Sequence, residues 1–140
     1  MKFLLDTNVL SETSRRAPDA AVLEWLEGLA EVAVSAITVE ELEYGVGRSE
    51  GNRLRQWLDA FIDGRPVIIP VDEQIATLAG RLRAKRIAAG FQAAQADMLI
   101  AASAATTGRV LVTRNTRDFE GCGLTLLNPF PKPAPGPVTK

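Results

Sequence analysis

Short apolar runs alternating with longer amphipathic stretches constrain this chain more than any other feature. Lys2–Leu5, Glu31–Ala36, Val67–Pro70, Val110–Thr113 and Leu124–Leu127 each read as a strand of a few residues. Between them, apolar residues recur every three or four positions, the helical period. Helices are predicted from Asp6-Thr7-Asn8 toward Ser14, over Asp19–Leu29, from Thr38 through Val46, over Glu50–Ile62, from Asp72 to about Ala89 and over Ala94–Thr107. Strands that alternate with helices and are apolar throughout imply a parallel sheet covered on both faces. The expected fold class is therefore α/β, a short central parallel sheet flanked by helices on both sides.

Finer expectations follow from the same pattern. Thr7 or Asn8 reads as the cap of the first helix, and Thr38 as the cap of the third, which Gly45 and Gly47 loosen at its end. On the helix after Asp72, Ile75, Leu78, Ala79 and Leu82 face inward and Arg81, Arg83, Lys85 and Arg86 mostly outward. Gly90 and Gly108 stop the last two helices. With 140 residues there is room for one ordinary domain. Composition shifts at Pro129, where Pro129, Pro131, Pro133, Pro135 and Pro137 begin a proline-rich stretch. The expected division is a domain over 1–128 and a flexible tail over 129–140. The apolar start is cut off by Asp6 before it can form a signal-peptide core, and no run approaches the ~20 residues of a membrane span. A cytoplasmic protein without membrane contact is expected.

The chain has no histidine. Ser-His-Asp and Cys-His catalysis, histidine-based nucleases and HExxH zinc sites are thereby excluded. The lone Cys122 can form neither an internal disulfide nor a zinc ribbon. Sixteen basic side chains against seventeen acidic ones argue against a uniformly basic surface but leave room for a local patch. Hydrolytic chemistry here must rest on carboxylates, hydroxyls, Lys or Arg, or on a metal ion that carboxylates hold.

In parallel sheets, ligands bind beyond the carboxyl ends of the strands. Asp6 directly follows an apolar strand there, and with Thr7 as the cap it has no structural task. Asp97 lies on the most apolar helix, sharing a face with Ala93, Ile100, Ala101 and Ala104. An ionised carboxylate in an apolar interior must be paired, protonated or bound to a cation. Glu40, Glu41 and Glu43 cluster after Thr38; helical phase does not decide among them, although Glu43 lies nearer the apolar stripe than Glu41. Asn115 and Asp118 follow the strand ending at Thr113. Acids drawn together from distant segments repel unless a cation neutralises them, and hard oxygen ligands select Mg²⁺ or Mn²⁺. Such ions support in-line attack of water on a phosphodiester.

Four segments carry a resemblance to a known family: Phe3–Leu10, Ser35–Gly45, Ala96–Ala102 and Val112–Phe119. In this order they resemble the PIN-domain ribonucleases, and in particular the VapC toxins of type II (VapBC) toxin–antitoxin systems, nearest the FitB-like branch. The resemblance implies a PIN-like fold and an Mg²⁺-dependent endoribonuclease, with Mn²⁺ as a substitute ion. It places the catalytic acids on Asp6, Glu41 and Asp97, with Asp6 and Asp97 as the metal pair. At the fourth position many relatives carry Asp where this chain has Asn115; Asp118 would then supply the charge, while Asn115 orients a water or a phosphate. Thr7 and Thr113 would steady the carboxylates, and Arg114 and Arg117 would contact the RNA substrate. A bacterial protein inhibited by a cognate VapB-type antitoxin is implied, as a homodimer and as a heterotetramer or larger assembly with that partner. Arginines from Arg15 to Arg117, together with Lys85, could form a basic rim for phosphate contacts.

Three other readings compete. A haloacid-dehalogenase-like phosphatase wants a second Asp two residues after the first, where this chain has Asn8. A receiver-like signalling domain wants a lysine at the end of a late strand, where Val110–Asn115 offers only Arg114. A catalytically degenerate PIN domain, binding nucleic acid or a partner without cutting, is favoured only by Asn115.

Overall fold

Successive residues of a strand point to opposite faces of a sheet, and this chain fills both. In chain order the elements are β1 (Phe3–Leu5), α1 (Thr7–Thr13), α2 (Ala20–Glu27), β2 (Ala33–Ser35), α3 (Ala36–Arg48), α4 (Arg53–Asp63), β3 (Val67–Ile69), α5 (Glu73–Ala88), α6 (Gln95–Thr106), β4 (Val110–Val112), a 3-10 turn (Thr116–Phe119) and β5 (Leu126–Leu127). Leu4, Ala33 and Leu111 face one side, where Ile75, Ala79 and Leu82 of α5 and Met98, Ile100 and Ala101 of α6 meet them. Leu5, Val34 and Val112 face the other, against Val9 of α1, Val22 of α2, Leu42 of α3 and Leu58 of α4. Two apolar layers on one sheet are the reason the strands lack polar alternation. The expected α/β class and the helices on both faces are what the protein has.

All pairings are parallel. β4 lies between β1 and β5, with Leu4 opposite Leu111 and Leu111 opposite Leu126. β2 pairs with β3. β2 also runs beside β1, but no ladder joins them, so the expected single sheet is built as two parallel ladders. The structure, a computed structural model, describes residues 1–131; the later part of the proline-rich stretch, 132–140, lies outside the described residues. Phe130 is 8% exposed and belongs to the layer with Leu5 and Val112. Among the described residues no helix is long and apolar enough to cross a membrane.

Several local expectations are corrected. The first helix is capped by Asp6, whose side chain accepts from the Thr7 amide, and not by Thr7 or Asn8. The third begins three residues early: Ser35 caps it in place of Thr38, Thr38 is buried within it, and Gly45 and Gly47 lie inside it. Ser35 at a strand end already offers a cap oxygen to the Ile37 amide, so the helix needs no later start. The second, fourth and fifth helices start close to where the sequence placed them, with Asp19 and Asp72 as caps that hold first-turn amides. Gly90, at φ 89°, ends the reach of α5 in a conformation that other residues rarely adopt.

Arg86 reverses its expected direction. It is 5% exposed, donating to the carbonyl oxygens of Gln92 and Glu120 and lying 4.9 Å from the Phe91 ring centroid. Those carbonyls belong to turns that helical phase cannot see. Arg86→Ala would leave buried acceptors without partners, which costs about 1–3 kcal/mol per group. Urea unfolding is expected to place this variant about 3 kcal/mol below the parent, while Arg83→Ala, on the exposed face of the same helix, stays within about 0.5 kcal/mol.

Candidate active site

β1 and β4 end side by side, and each hands over to a polar residue. The Asp6 amide donates to Val112 O at 2.8 Å and the Thr113 amide to Leu127 O at 2.9 Å, so both residues are fixed by the ladder. Asp6 is 5% exposed. Its Oδ1 accepts from the Thr7 amide at 2.8 Å, and its Oδ2 from the Thr113 hydroxyl at 2.8 Å and from Asn8 Nδ2 at 3.4 Å. A carboxylate oxygen has two lone pairs, and one on Oδ1 has no partner among the described residues.

The long-range acids arrive from helices on either face. The Thr7 hydroxyl donates to Glu41 Oε1 at 2.6 Å and lies 3.0 Å from the buried Thr38 hydroxyl. Thr7 therefore joins Asp6 through its amide and Glu41 through its side chain. Of the three clustered glutamates, Glu40 is exposed and Glu43 is turned to solvent, where Arg55 holds it at 2.8 Å. The phase argument that ranked Glu43 nearer the interior is corrected: the inward face of α3 includes the buried Thr38 beside the apolar stripe, and Glu41, three residues on, is the one that meets Thr7. Asp97 is half-buried in the first turn of α6. It sits at the open mouth of the apolar stripe, while Ile100, Ala101 and Ala104 occupy the interior.

Electrostatics tie the acids together. Burial pushes the Asp6 carboxyl above the ordinary aspartate value; its bonds from Thr113 and Thr7 pull it back, and the charges of Glu41 and Asp118 push it up again. Asp97 is pushed up to about 6, first by burial and then by the charges of Asp6, Asp118 and Glu41, with Arg86 opposing. Among the described residues no hydrogen bond to its oxygens offsets these effects. Among the described residues no arginine forms an ion pair with either aspartate.

Asn115 and Asp118 are both exposed at the rim. The Asn115 amide donates to the Thr113 hydroxyl at 3.0 Å, and the Asp118 amide to Asn115 O at 3.0 Å. Asp118 acts on Asp6 and Asp97 through its charge. Arg114 is exposed, with its guanidinium 4.6 Å from the Phe130 ring centroid. Arg117 is exposed on the 3-10 turn. The broad basic rim is corrected in part: Arg86 is buried, Arg55 is bound to Glu43 and Asp59, and Arg15 to Glu12.

Two residues of this region escaped the sequence reading. Asn8 links Asp6 and Thr113 through its amide nitrogen and accepts from the Arg114 amide at 3.2 Å. Its place two residues after Asp6, on the helix that starts there, was the available signal. Glu12, 4% exposed, accepts from Arg15 and from the Asp19 amide at 2.8 Å. A lone acid on the apolar side of α1, between Val9 and Leu10 and the arginines, marked it.

The raised Asp97 value carries a stability consequence. Its carboxyl holds a proton in the native state up to about pH 6, but only to about pH 4 when unfolded. Its contribution is therefore stabilising below pH 4 and lost as pH rises through 6. Partial exposure screens the effect to about 1 kcal/mol. In EDTA, Asp97→Asn is expected to melt about 3 °C above the parent at pH 7.5, with the gap closing at pH 4. Equal melting shifts at both pH values would contradict the repulsion.

The PIN domain model matches residues 3–121. The plasmid stability protein StbB of Pseudomonas syringae is 38% identical over 138 residues, covering 91% of this chain and 97% of that protein. The VapC ribonuclease Y4jK of Sinorhizobium fredii is 33% identical, covering 91% and 96%. The toxin FitB of Neisseria gonorrhoeae is 36% identical, covering 91% and 97%. The crystal structure of FitAcB from the same organism superposes with a TM-score of 0.79 at 34% identity, covering 91% of this chain and 97% of that one. With that match running from β1 through β4 and including every acid described above, the chain belongs to the PIN domain family.

Proposed function

We propose that this chain is a metal-dependent endoribonuclease, the toxin of a toxin–antitoxin pair. The observation that carries the reading is the mutual repulsion of Asp6, Glu41, Asp97 and Asp118 at the carboxyl ends of β1 and β4. Its relatives include proteins named VapC ribonuclease and toxin FitB.

The donor set fits a hard divalent cation, Mg²⁺ or Mn²⁺. Asp6 and Asp97 would hold it. Mg²⁺ keeps several waters and takes one or two carboxylates. Bound there, it would polarise a phosphoryl oxygen and acidify a water.

The chain's own groups do the rest. Thr7 and Thr113 steady the carboxylates, and fixing such supports is worth a factor of 10–100 in ion affinity. Glu41, aimed by the Thr7 hydroxyl, accepts a proton from the attacking water. Asp118 adds negative charge at the rim, and Asn115 orients water or phosphate. Arg114 and Arg117 bind the RNA backbone. The haloacid-dehalogenase reading loses its footing at Asn8, an amide already spent on Asp6, Thr113 and the Arg114 backbone. The protein works in the bacterial cytoplasm as a homodimer, in a larger complex with a VapB-type antitoxin. Its single domain reaches at least to Phe130, which packs among the core residues.

Purified protein with Mg²⁺ is expected to cleave RNA, EDTA to stop it, and Asp6→Asn or Asp97→Asn to abolish it with the circular dichroism spectrum retained. Thr113→Val is expected to raise the half-saturating Mg²⁺ concentration about 10–100-fold. Full cleavage by both Asn variants would remove the metal-site assignment; harmless expression of active enzyme without an antitoxin would remove the toxin assignment.

A further inference from the structure

Beside the acid cluster, on the far side of Arg114, lies a recess of about 150 Å³ lined by Glu12, Arg15, Ala17, Asp19, Arg114 and Phe130. We propose that it is a subsite for one backbone phosphate of the RNA, away from the cleaved bond, with Arg114 as its principal donor and Phe130 as the residue that positions Arg114. The proposal rests on the nuclease reading above and deepens it.

The wall carries two acids and two arginines, so net charge is neutral and the free donors decide. The two acids on the wall are already committed: Glu12 accepts from Arg15 and from the Asp19 amide, and Asp19 accepts from the amides of Ala21 and Val22. Arg15 leans on Glu12 through one terminal nitrogen, with its side chain 62% exposed. Arg114 has no carboxylate partner among the described residues and offers all of its guanidinium donors. An exposed arginine usually samples many rotamers. This one is restrained at both ends, by its amide on Asn8 Oδ1 and by its guanidinium over the Phe130 ring. Phe130 is itself fixed, buried among the core residues with its amide on Asn128 Oδ1 at 2.9 Å. A cation held over a ring keeps its in-plane N–H groups free for a phosphate.

Size decides what enters. Sites for drug-sized ligands run from about 300 Å³ upward, so a whole nucleoside does not fit. A phosphate group with its water does. Because Asn8 bonds both Asp6 and the Arg114 backbone, a phosphate caught here is held in fixed register with the acids, on the same strand of RNA.

The test is steady-state cleavage of a single-stranded RNA by the full chain in Mg²⁺, read as KM, kcat and the salt dependence of KM. Arg114→Gln is expected to raise KM about five- to tenfold and to lower the slope of log KM against log salt by about 0.7, one phosphate contact on a single strand. Phe130→Leu, which keeps an apolar side chain but removes the ring face, is expected to raise KM severalfold, Phe130→Tyr to restore it, and Phe130→Leu to add nothing in the Arg114→Gln background. Melting temperatures separate these effects from loss of fold. An unchanged KM in Arg114→Gln, or a Phe130→Leu effect that persists undiminished without Arg114, overturns the subsite while leaving the nuclease reading intact. Absence of any cleavage by the parent chain overturns both.

Discussion

Like charges gathered at the end of a sheet are the constraint on which the rest of this molecule turns. A buried carboxylate is tolerable only with donors around it, and Asp6 has three: the Thr7 amide, the Thr113 hydroxyl and the Asn8 side chain. Asp97 has none among the described residues and shows the strain as a carboxyl raised to about 6. The asymmetry is informative. The acid nearest the strands is made permanent by hydrogen bonds, whereas the one on the opposite helix is left short of compensation, which is where an added cation would have the most to gain.

The scaffold makes this geometry rigid. Each strand is three residues or fewer, so one residue of slip would move Leu5 and Val112 off the face that α1 to α4 cover and place Leu4 and Leu111 there instead. Both apolar layers resist that slip, and Asp6 and Thr113 inherit the register. Arg86 does similar work farther out by binding the turn that contains Glu120, which anchors the segment carrying Asp118 and Phe119. The precision of the polar end is thus supplied by apolar packing on two sides of it.

What could be read in the sequence was whatever depended on local pattern. Apolar runs located the strands, and an acid directly after one of them located Asp6; an acid on an otherwise apolar helix located Asp97. What could not be read depended on partners distant in the chain. The choice of Glu41 over Glu43 turns on Thr38, a polar residue buried on α3, and on the Thr7 hydroxyl that reaches both Thr38 and Glu41. Arg86 looks like any exposed helix arginine until the carbonyls of Gln92 and Glu120 are folded against it. Asn8 reads as a helix cap and is a bridge between two strand ends, Asp6 and Thr113, 107 residues apart in the chain.

The corner at Asn115 follows the same logic. A neutral side chain there leaves the site one charge poorer at that position, yet Asp118 raises both Asp6 and Asp97. Residues three apart nearly eclipse in a 3-10 helix, and the Asp118 amide closes on Asn115 O at 3.0 Å. The turn therefore returns the chain to the same side of the site one step later, and Asp118 brings a carboxylate there. Exposed at this corner, Asp118 repels its neighbours less than a buried acid would. That leaves Asn115 free to present a neutral amide beside Thr113, a group that can face a phosphate without repelling it.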